Sequence, residues 1–413
     1  MKILFLTNPL FSHTKGAINY IEPLTKNNEV HVFVDSKYSD LFLNINCTLH
    51  FYKQELHQIN NNLINEYPEY HGGIGTIEKD KTIDDMLIEM EKMLEYSLRA
   101  SKNYHDSIIC DIRSLVPDLI FRDSCAIYGR TIADELGIKV YGYTTSLTLS
   151  EEEMQFNKRR YLELSQNYDL ADLSDDEINI FWDKIKIVYK KICVYYGVRA
   201  LPIGFLLNAD EEKNFCYGLP FEKHSLINKT YFYFTPKIFE NEYIAKNNDS
   251  CNSIYMSSGT ILCFPIYVYN SIINYLKDST TELNIAFKYW DTKVIKTEAL
   301  PKNVKFYNYA NQTELLKKSN LFITHGGYNS IIESIYYGVP MIVIPLVNDQ
   351  FLSGYFLEKY GVAVVVKKRE IASSKDVKIA FDDFKKKTRI NELRKIRNEI
   401  LNLTRLSELN NYI

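Results

Sequence analysis

An α/β protein made of two doubly wound parallel-sheet domains is predicted by three features of the chain. Its 413 residues exceed what one hydrophobic core usually serves. Short β-branched and aromatic runs alternate with helical stretches in two series, one near the N-terminus and one beginning at residue 253. In the second series a glycine turn joins a strand to a helix, and open parallel sheets bind ligands at that edge. A hydrophobic content of 46% suffices for two cores.

In chain order, residues 2–7 read as a buried first strand and residues 29–35 as a second, with a helix between. Residues 118–123, DLIFRD, read as another strand, followed by the helical CAIYGRTIADELG and the strand KVYGYTT. Residues 151–200 carry charged and aromatic side chains at helical spacing with little glycine, so a helical insertion is expected there. The run YFYFTP at 231–236 breaks the pattern and reads as the approach to a linker. A second strand–helix series runs from 253 to 366, and residues 389–413 read as helical.

Composition narrows the function classes. A net charge of −3 supplies no basic field for nucleic acid. The short basic segments at 367–369 and 385–387 read as solvated faces. Seven cysteines, at 47, 110, 125, 193, 216, 251 and 263, show neither CxxC nor Cys/His spacing. An odd, scattered set argues against a disulfide framework and a zinc site, so reduced thiols and a cytoplasmic location are expected. The apolar start, MKILFLT, is too short for a signal peptide. No run approaches the roughly 18 apolar residues of a membrane span, so no transmembrane segment is expected.

Residues 321–350, LFITHGGYNSIIESIYYGVPMIVIPLVNDQ, carry the most chemistry. A strand ends in His325-Gly326-Gly327, a helix begins near Asn329, and a second strand delivers Asp349 and Gln350. The helix start leaves N–H groups unpaired and carries partial positive charge, while Gly326 and Gly327 let the backbone approach an anion. Asn329, Ser330 and Glu333 share one helix face, so a carboxylate stands one turn above a phosphate-binding end, suited to ribose hydroxyls. Asp349 and Gln350 emerge on the same sheet edge. The small-residue turn Ser257-Ser258-Gly259-Thr260 can also donate N–H groups to phosphate.

Taken whole, the stretch from Tyr309 to Gln350 resembles the donor-binding signature of the UDP-glycosyltransferases, in particular the bacterial macrolide-glycosyltransferase-like branch of that superfamily (GT1, GT-B fold). The resemblance rests on Tyr309-Ala310-Asn311-Gln312, His325-Gly326-Gly327-Tyr328-Asn329-Ser330, Glu333, Gly338-Val339-Pro340-Met341, Pro345 and Asp349-Gln350, matched in order and spacing. It implies two Rossmann-like domains facing across a cleft. Residues 1–228 would bind the acceptor, 229–248 form the linker, 249–390 bind the nucleotide sugar, and 391–413 form a helix crossing back to the first domain. Tyr309, with Ala310 beside it, would stack on uracil where the family usually has tryptophan. Gln312 would lie near base and ribose. His325, Gly327, Asn329 and Ser330 would meet the diphosphate, Glu333 the ribose, and Asp349 with Gln350 the sugar hydroxyls. Ser257, Gly259 and Thr260 would form a second wall for the diphosphate.

Glycosyl transfer also needs a base for the acceptor hydroxyl. His13 follows the first strand just before a helix, and Asp123 ends another strand of the same sheet, so both reach one edge. A carboxylate on one ring nitrogen fixes the tautomer and raises the basicity of the other. The resemblance gives the same catalytic pair, although Ser12-His13-Thr14-Lys15-Gly16 departs from the family's Gly-His-x-Asn-Pro-like motif. It implies an inverting, metal-independent displacement on a UDP-sugar co-substrate, with glucose expected and UDP-GlcNAc or a dTDP-sugar as alternatives. The helix N-terminus and His325 are expected to replace a metal's charge. The acidic pairs Asp84-Asp85, Asp175-Asp176 and Asp382-Asp383 read as solvated faces. The expected acceptor is a small hydrophobic, hydroxyl-bearing molecule such as a polyketide, macrolide or phenolic natural product. Two alternatives stand beside this: a membrane-surface lipid glycosyltransferase, suggested by the basic run FNKRRY at 156–161, and a non-catalytic GT-B accessory protein, suggested by the altered His13 motif.

Overall fold

The computed structural model describes residues 1–53, 82–147, 154–155, 158–165, 170–199, 210–218, 230–240, 252–259, 263–287, 301–346, 349–366, 373–387 and 390–413. The first part of the chain supplies β1 (Lys2–Leu6), α1 (Phe11–Leu24), β2 (Glu29–Val34), β3 (Thr48–Phe51), α2 (Ile83–Leu115), β4 (Leu119–Asp123) and α3 (Ile127–Leu136). It continues with β5 (Lys139–Thr144), α4 (Lys158–Ser165), α5 (Asp175–Tyr196), β6 (Lys213–Tyr217) and β7 (Thr230–Thr235). The second part supplies β8 (Ser253–Ser257), α6 (Ile266–Leu276), β9 (Glu282–Ala286), β10 (Val304–Tyr307), α7 (Gln312–Lys318), β11 (Leu321–Thr324) and α8 (Tyr328–Tyr336). It ends with β12 (Met341–Val343), α9 (Asp349–Lys359), β13 (Ala363–Val365), α10 (Ser374–Lys387), α11 (Ile390–Leu401), β14 (Thr404–Arg405) and a 3-10 turn, Leu406–Asn411.

Two sheets result, of eight and six strands, in the orders β14-β7-β6-β5-β4-β1-β2-β3 and β10-β9-β8-β11-β12-β13. Every pairing is parallel. Helices on both faces explain why Ile3 to Leu6 form one continuous buried run instead of alternating. Strand order reverses between β1 and β4 in one sheet and between β8 and β11 in the other, and parallel sheets open a ligand crevice at such points.

Two expected boundaries change. Residues 230–235 belong to the first sheet, not to the linker, with Thr230 paired to Lys213 and Phe234 to Tyr217. The alternation of β7 explains this: Phe232 and Phe234 share one face and lie 5.4 and 6.1 Å from the Phe215 ring. At the C-terminus, the expected single helix ends at Leu401, and Thr404 and Arg405 then pair with Phe234 and Thr235 of β7. The Thr235 hydroxyl donates to the Ile400 carbonyl at 2.9 Å and the Leu403 carbonyl at 3.1 Å, satisfying acceptors a helix end leaves open. Lys213 Nζ holds the Tyr412 carbonyl at 2.7 Å, so the terminal segment braces the first domain.

The helical insertion takes the form of α4 and α5. Two acidic pairs prove to be helix starts: Asp84 and Asp85 follow a capping box at Thr82, and Asp175 and Asp176 follow one at Ser174. Carboxylates there oppose the positive helix end, so capping accounts for them. The basic run is also engaged internally. Arg159 donates to the Leu170 and Leu173 carbonyls and to Asp175 Oδ1, and Arg160 lies 4.1 Å from the centre of the Tyr355 ring. Among the described residues no helix is long and apolar enough to cross a membrane.

Under the end of β4 lies a buried ionic knot. Glu211 Oε1 accepts from Arg122 Nε at 2.6 Å and Arg130 Nε at 2.8 Å, and all three side chains are 2–3% exposed. Burial disfavours the Glu211 charge, but the two guanidiniums hold its pKa below the usual carboxylate range. Arg122 Nη1 also donates to the carbonyls of Asp123 and Ser124, fixing the backbone that carries Asp123. Glu211→Ala would strand two buried cations, and a loss of about 3–5 kcal/mol in urea-unfolding free energy is expected.

Candidate active site

The reversal point of the first sheet holds His13 and Asp123. His13 sits in the first turn of α1, not ahead of the helix as expected, because the helix already starts at Phe11. Its Nδ1 lies 3.0 Å from Asp123 Oδ2 and 3.1 Å from Oδ1. Asp123 is fully buried and His13 is 17% exposed. Since an ionised carboxylate only accepts, Nδ1 carries the proton and Nε2 is left as the basic nitrogen. Thr145 Oγ1, 3.1 Å from the same Nδ1, shares that proton as a second acceptor. The Cys125 backbone N–H donates to Asp123 Oδ1 at 2.8 Å and holds the carboxylate in place. Burial alone lowers the His13 pKa, but the charge and hydrogen bond of Asp123, aided by Asp349, raise it above 6.5.

His13, Asp123 and Cys125 also place one possible ligand atom each within 4.8 Å of one another, a grouping unique among the described residues. As a donor set it suits a metal poorly. Burial and the Asp123 charge push the thiol well up, so a metal must displace its proton and also compete with the Asp123–His13 bond.

Across the cleft, the reversal point of the second sheet brings together the loop after β8 and the turn after β11. Ser257 is buried, and its hydroxyl accepts from the Gly259 N–H at 3.2 Å. Thr260, expected in this wall, lies outside the described residues. The His325 ring occupies a notch between two glycines. A Cβ on Gly327 would stand 2.5 Å from His325 Nε2, and one on Gly259 would stand 2.6 Å from its Cε1. Gly259 also has φ +86, a conformation that favours glycine. Burial pushes the His325 pKa down to about 4, and its Nδ1 is buried without a hydrogen-bond partner among the described residues. That corrects the expectation that His325 replaces a metal's charge. A neutral imidazole brings hydrogen bonding but no charge.

The α8 residues divide their contacts. Gln312 Nε2 donates to Glu333 Oε2 at 2.7 Å and to Ser330 Oγ at 3.2 Å, joining three expected donor residues in one cluster. Lys15 Nζ of the first domain reaches the other Glu333 oxygen, Oε1, at 2.9 Å. Asn329 faces the first domain: its amide donates to the Ser12 carbonyl at 3.2 Å and its oxygen accepts from the Tyr217 hydroxyl. The Tyr328 hydroxyl donates to the Tyr217 carbonyl at 2.7 Å. Tyr309 follows β10 with its ring 82% exposed, an open aromatic face, and Ala310 is half-buried beside it.

Asp349 opens α9, and burial pushes its pKa up to about 6, with His13 pulling the other way across the cleft. Gln350 follows Asp349 in the first turn of α9. Its Oε1 accepts from the Leu346 N–H at 2.9 Å, and the residue is 7% exposed, so its amide oxygen ties the first turn of α9 to Leu346. Sequence alone assigned no role to Thr145, Tyr217 or Lys15. Thr145 had a usable signal, a polar residue just past a buried strand, whereas Tyr217 ends β6, KNFCY, whose polar start hides the strand.

Two parallel-sheet domains whose reversal points face each other are the arrangement of the GT-B fold. Residues 264–406 match the UDP-glucoronosyl and UDP-glucosyl transferase family. The uncharacterized UDP-glucosyltransferase YojK of Bacillus subtilis (strain 168) is 27% identical over 317 residues, covering 75% of each chain. Among solved structures, the calicheamicin glycosyltransferase CalG4 superposes with a TM-score of 0.69 at 14% identity, over 100% of this chain and 96% of that one. The spinosyn rhamnosyltransferase SpnG complexed with thymidine diphosphate gives 0.66 at 14% identity, over 100% and 99%. At such identities the likeness is one of fold. The UDP-glycosyltransferase match spans residues 264–406 and the GT-B likeness spans the whole chain, and together they support a glycosyltransferase.

Gly327 tests the notch that holds His325. Its φ of −63 suits any residue, so Gly327→Ala acts through the methyl that displaces the imidazole. UDP affinity measured by calorimetry is expected to fall by about tenfold, ~1.4 kcal/mol, with little change in thermal midpoint.

Proposed function

We propose that the enzyme moves glucose from a UDP-sugar to a hydroxyl of a small hydrophobic acceptor, of natural-product, macrolide or phenolic type, with inversion and without a metal. The observation that carries this is the His13–Asp123 pair, whose basic Nε2 belongs to an imidazole within electrostatic reach of Asp349. In this reading Tyr309 stacks on the base and Glu333 takes the ribose. The N-terminus of α8, with His325 and the Ser257–Gly259 wall, holds the diphosphate, and Asp349, ionised at neutral pH, accepts from sugar hydroxyls.

The reaction is a single in-line displacement. His13 Nε2 removes the acceptor hydroxyl proton as that oxygen attacks the anomeric carbon. The bond from that carbon to the terminal phosphate oxygen breaks, and its electron pair leaves with UDP. Attack opposite an α-linked UDP gives a β-glycoside. The resulting imidazolium is stabilised by Asp123, as its raised pKa reflects. Likeness to YojK, described as a UDP-glucosyltransferase, supports glucose. The calicheamicin and spinosyn enzymes among the structural neighbours support a natural-product acceptor. The internal contacts of Arg159 and Arg160 favour this reading over a lipid-surface one.

Incubation with UDP-glucose, UDP-GlcNAc and dTDP-glucose, each with mixed phenols and macrolides in the presence of EDTA, is expected to yield hexose-mass adducts from UDP-glucose. Absence of adducts from UDP-glucose would sink the proposal. His13→Ala is expected to lower kcat about 10²–10⁴-fold. Activity requires neutral His13, so kcat/KM should rise with pH through a pKa above 6.5. Asp123→Asn removes the raising charge, and the acidic limb should move to lower pH while kcat drops. A limb that stays in place would assign it to another group.

A further inference from the structure

Resting on the donor reading above, we propose that Lys15 is a diphosphate-binding residue supplied by the opposite domain. In the free enzyme it rests on Glu333, and it passes to the nucleoside diphosphate when the ribose engages that carboxylate.

The need is electrostatic. As the sugar leaves, negative charge grows on the terminal phosphate, and preorganised positive groups aimed there lower the barrier. The α8 N-terminus contributes only about half a unit charge. His325 is neutral at physiological pH. Lys15 brings a full positive charge to the same helix, 2.9 Å from Glu333 Oε1. Its side chain is 49% exposed while that of Glu333 is 9% exposed, so the ammonium stands at the mouth and the carboxylate within.

The exchange follows from hydrogen-bond capacity and helix geometry. Glu333 uses Oε2 on Gln312 and Oε1 on Lys15. Ribose hydroxyls that bind this carboxylate compete directly with the ammonium. Asn329 lies four residues, about 6 Å along the axis, toward the N-terminal end where the diphosphate would sit. A flexible four-carbon stem lets the ammonium swing by that one turn.

Lys15 is also not a chance surface lysine, because its segment is pinned against α8. The preceding Ser12 carbonyl accepts from Asn329 Nδ2 at 3.2 Å. The following Gly16 lets α1 approach the ends of β5 and β6: a Cβ there would stand 2.7 Å from Thr145 Cγ2 and 2.8 Å from the Tyr217 hydroxyl. That close approach carries Lys15 over the cleft.

Calorimetric titration of wild type, Lys15→Met and Lys15→Arg with UDP and dTDP, each beside its nucleoside, tests the assignment. Lys15→Met is expected to weaken diphosphate binding about tenfold and leave the nucleoside equal or tighter, since Glu333 is released. Lys15→Arg should keep most of the affinity, and added salt should weaken wild type more than Lys15→Met. Diphosphate affinity unchanged in Lys15→Met overturns the assignment, as does an equal loss for diphosphate and nucleoside. Wild type that binds neither diphosphate overturns the donor reading and this inference with it.

Discussion

Parallel strand pairing is the constraint on which the site depends. Strands that all run one way end on one edge, so polar residues just past β1, β4, β8 and β11 gather there although sequence separates them by hundreds of positions. The order reverses at β1/β4 and at β8/β11, and helices leave those points toward opposite faces, opening two crevices. His13 and Asp123 meet in one, His325 and the Ser257–Gly259 turn in the other. The structure then spends its buried polar contacts on holding these edges still. The Arg122–Glu211–Arg130 knot fixes the backbone under Asp123, and Gln350 holds the Leu346 N–H.

Charge in the cleft is managed by burial. The same low-dielectric surroundings keep His325 neutral and raise Asp349, whereas His13 gains enough from Asp123 to move the other way. Identical side-chain types therefore hold opposite protonation tendencies on the two walls. One wall carries an imidazole with a raised pKa and the other an imidazole with a lowered one. Lys15 supplies positive charge from the first domain, and Asn329, Tyr217 and Ser12 tie the two walls together around it.

Much of this was legible in the chain. Buried runs such as LFIT and KILFL read as strands because parallel strands covered on both faces lose their alternation. The glycine turn and the spacing of Asn329, Ser330 and Glu333 follow from helix periodicity alone. The pairing of His13 with Asp123 was inferable from two strand ends on one edge. Elements with short or aromatic sequences were less readable: β6 and β14 are strands because neighbours offer them hydrogen bonds, and β7 looked like a linker until Phe215 gave Phe232 and Phe234 a face to pack on.

By itself, then, the sequence determined the fold class, the two strand–helix series, and the spacing of the polar residues around the glycine turn, since those depend on periodicity and local turn chemistry. The tertiary structure decided what each residue does next. It set Gln350 Oε1 on the Leu346 N–H, kept His325 neutral between two glycines, and aimed Asn329 and Lys15 across the cleft. Protonation and pairing depend on solvent exclusion and on partners from remote segments, and neither is written in local pattern.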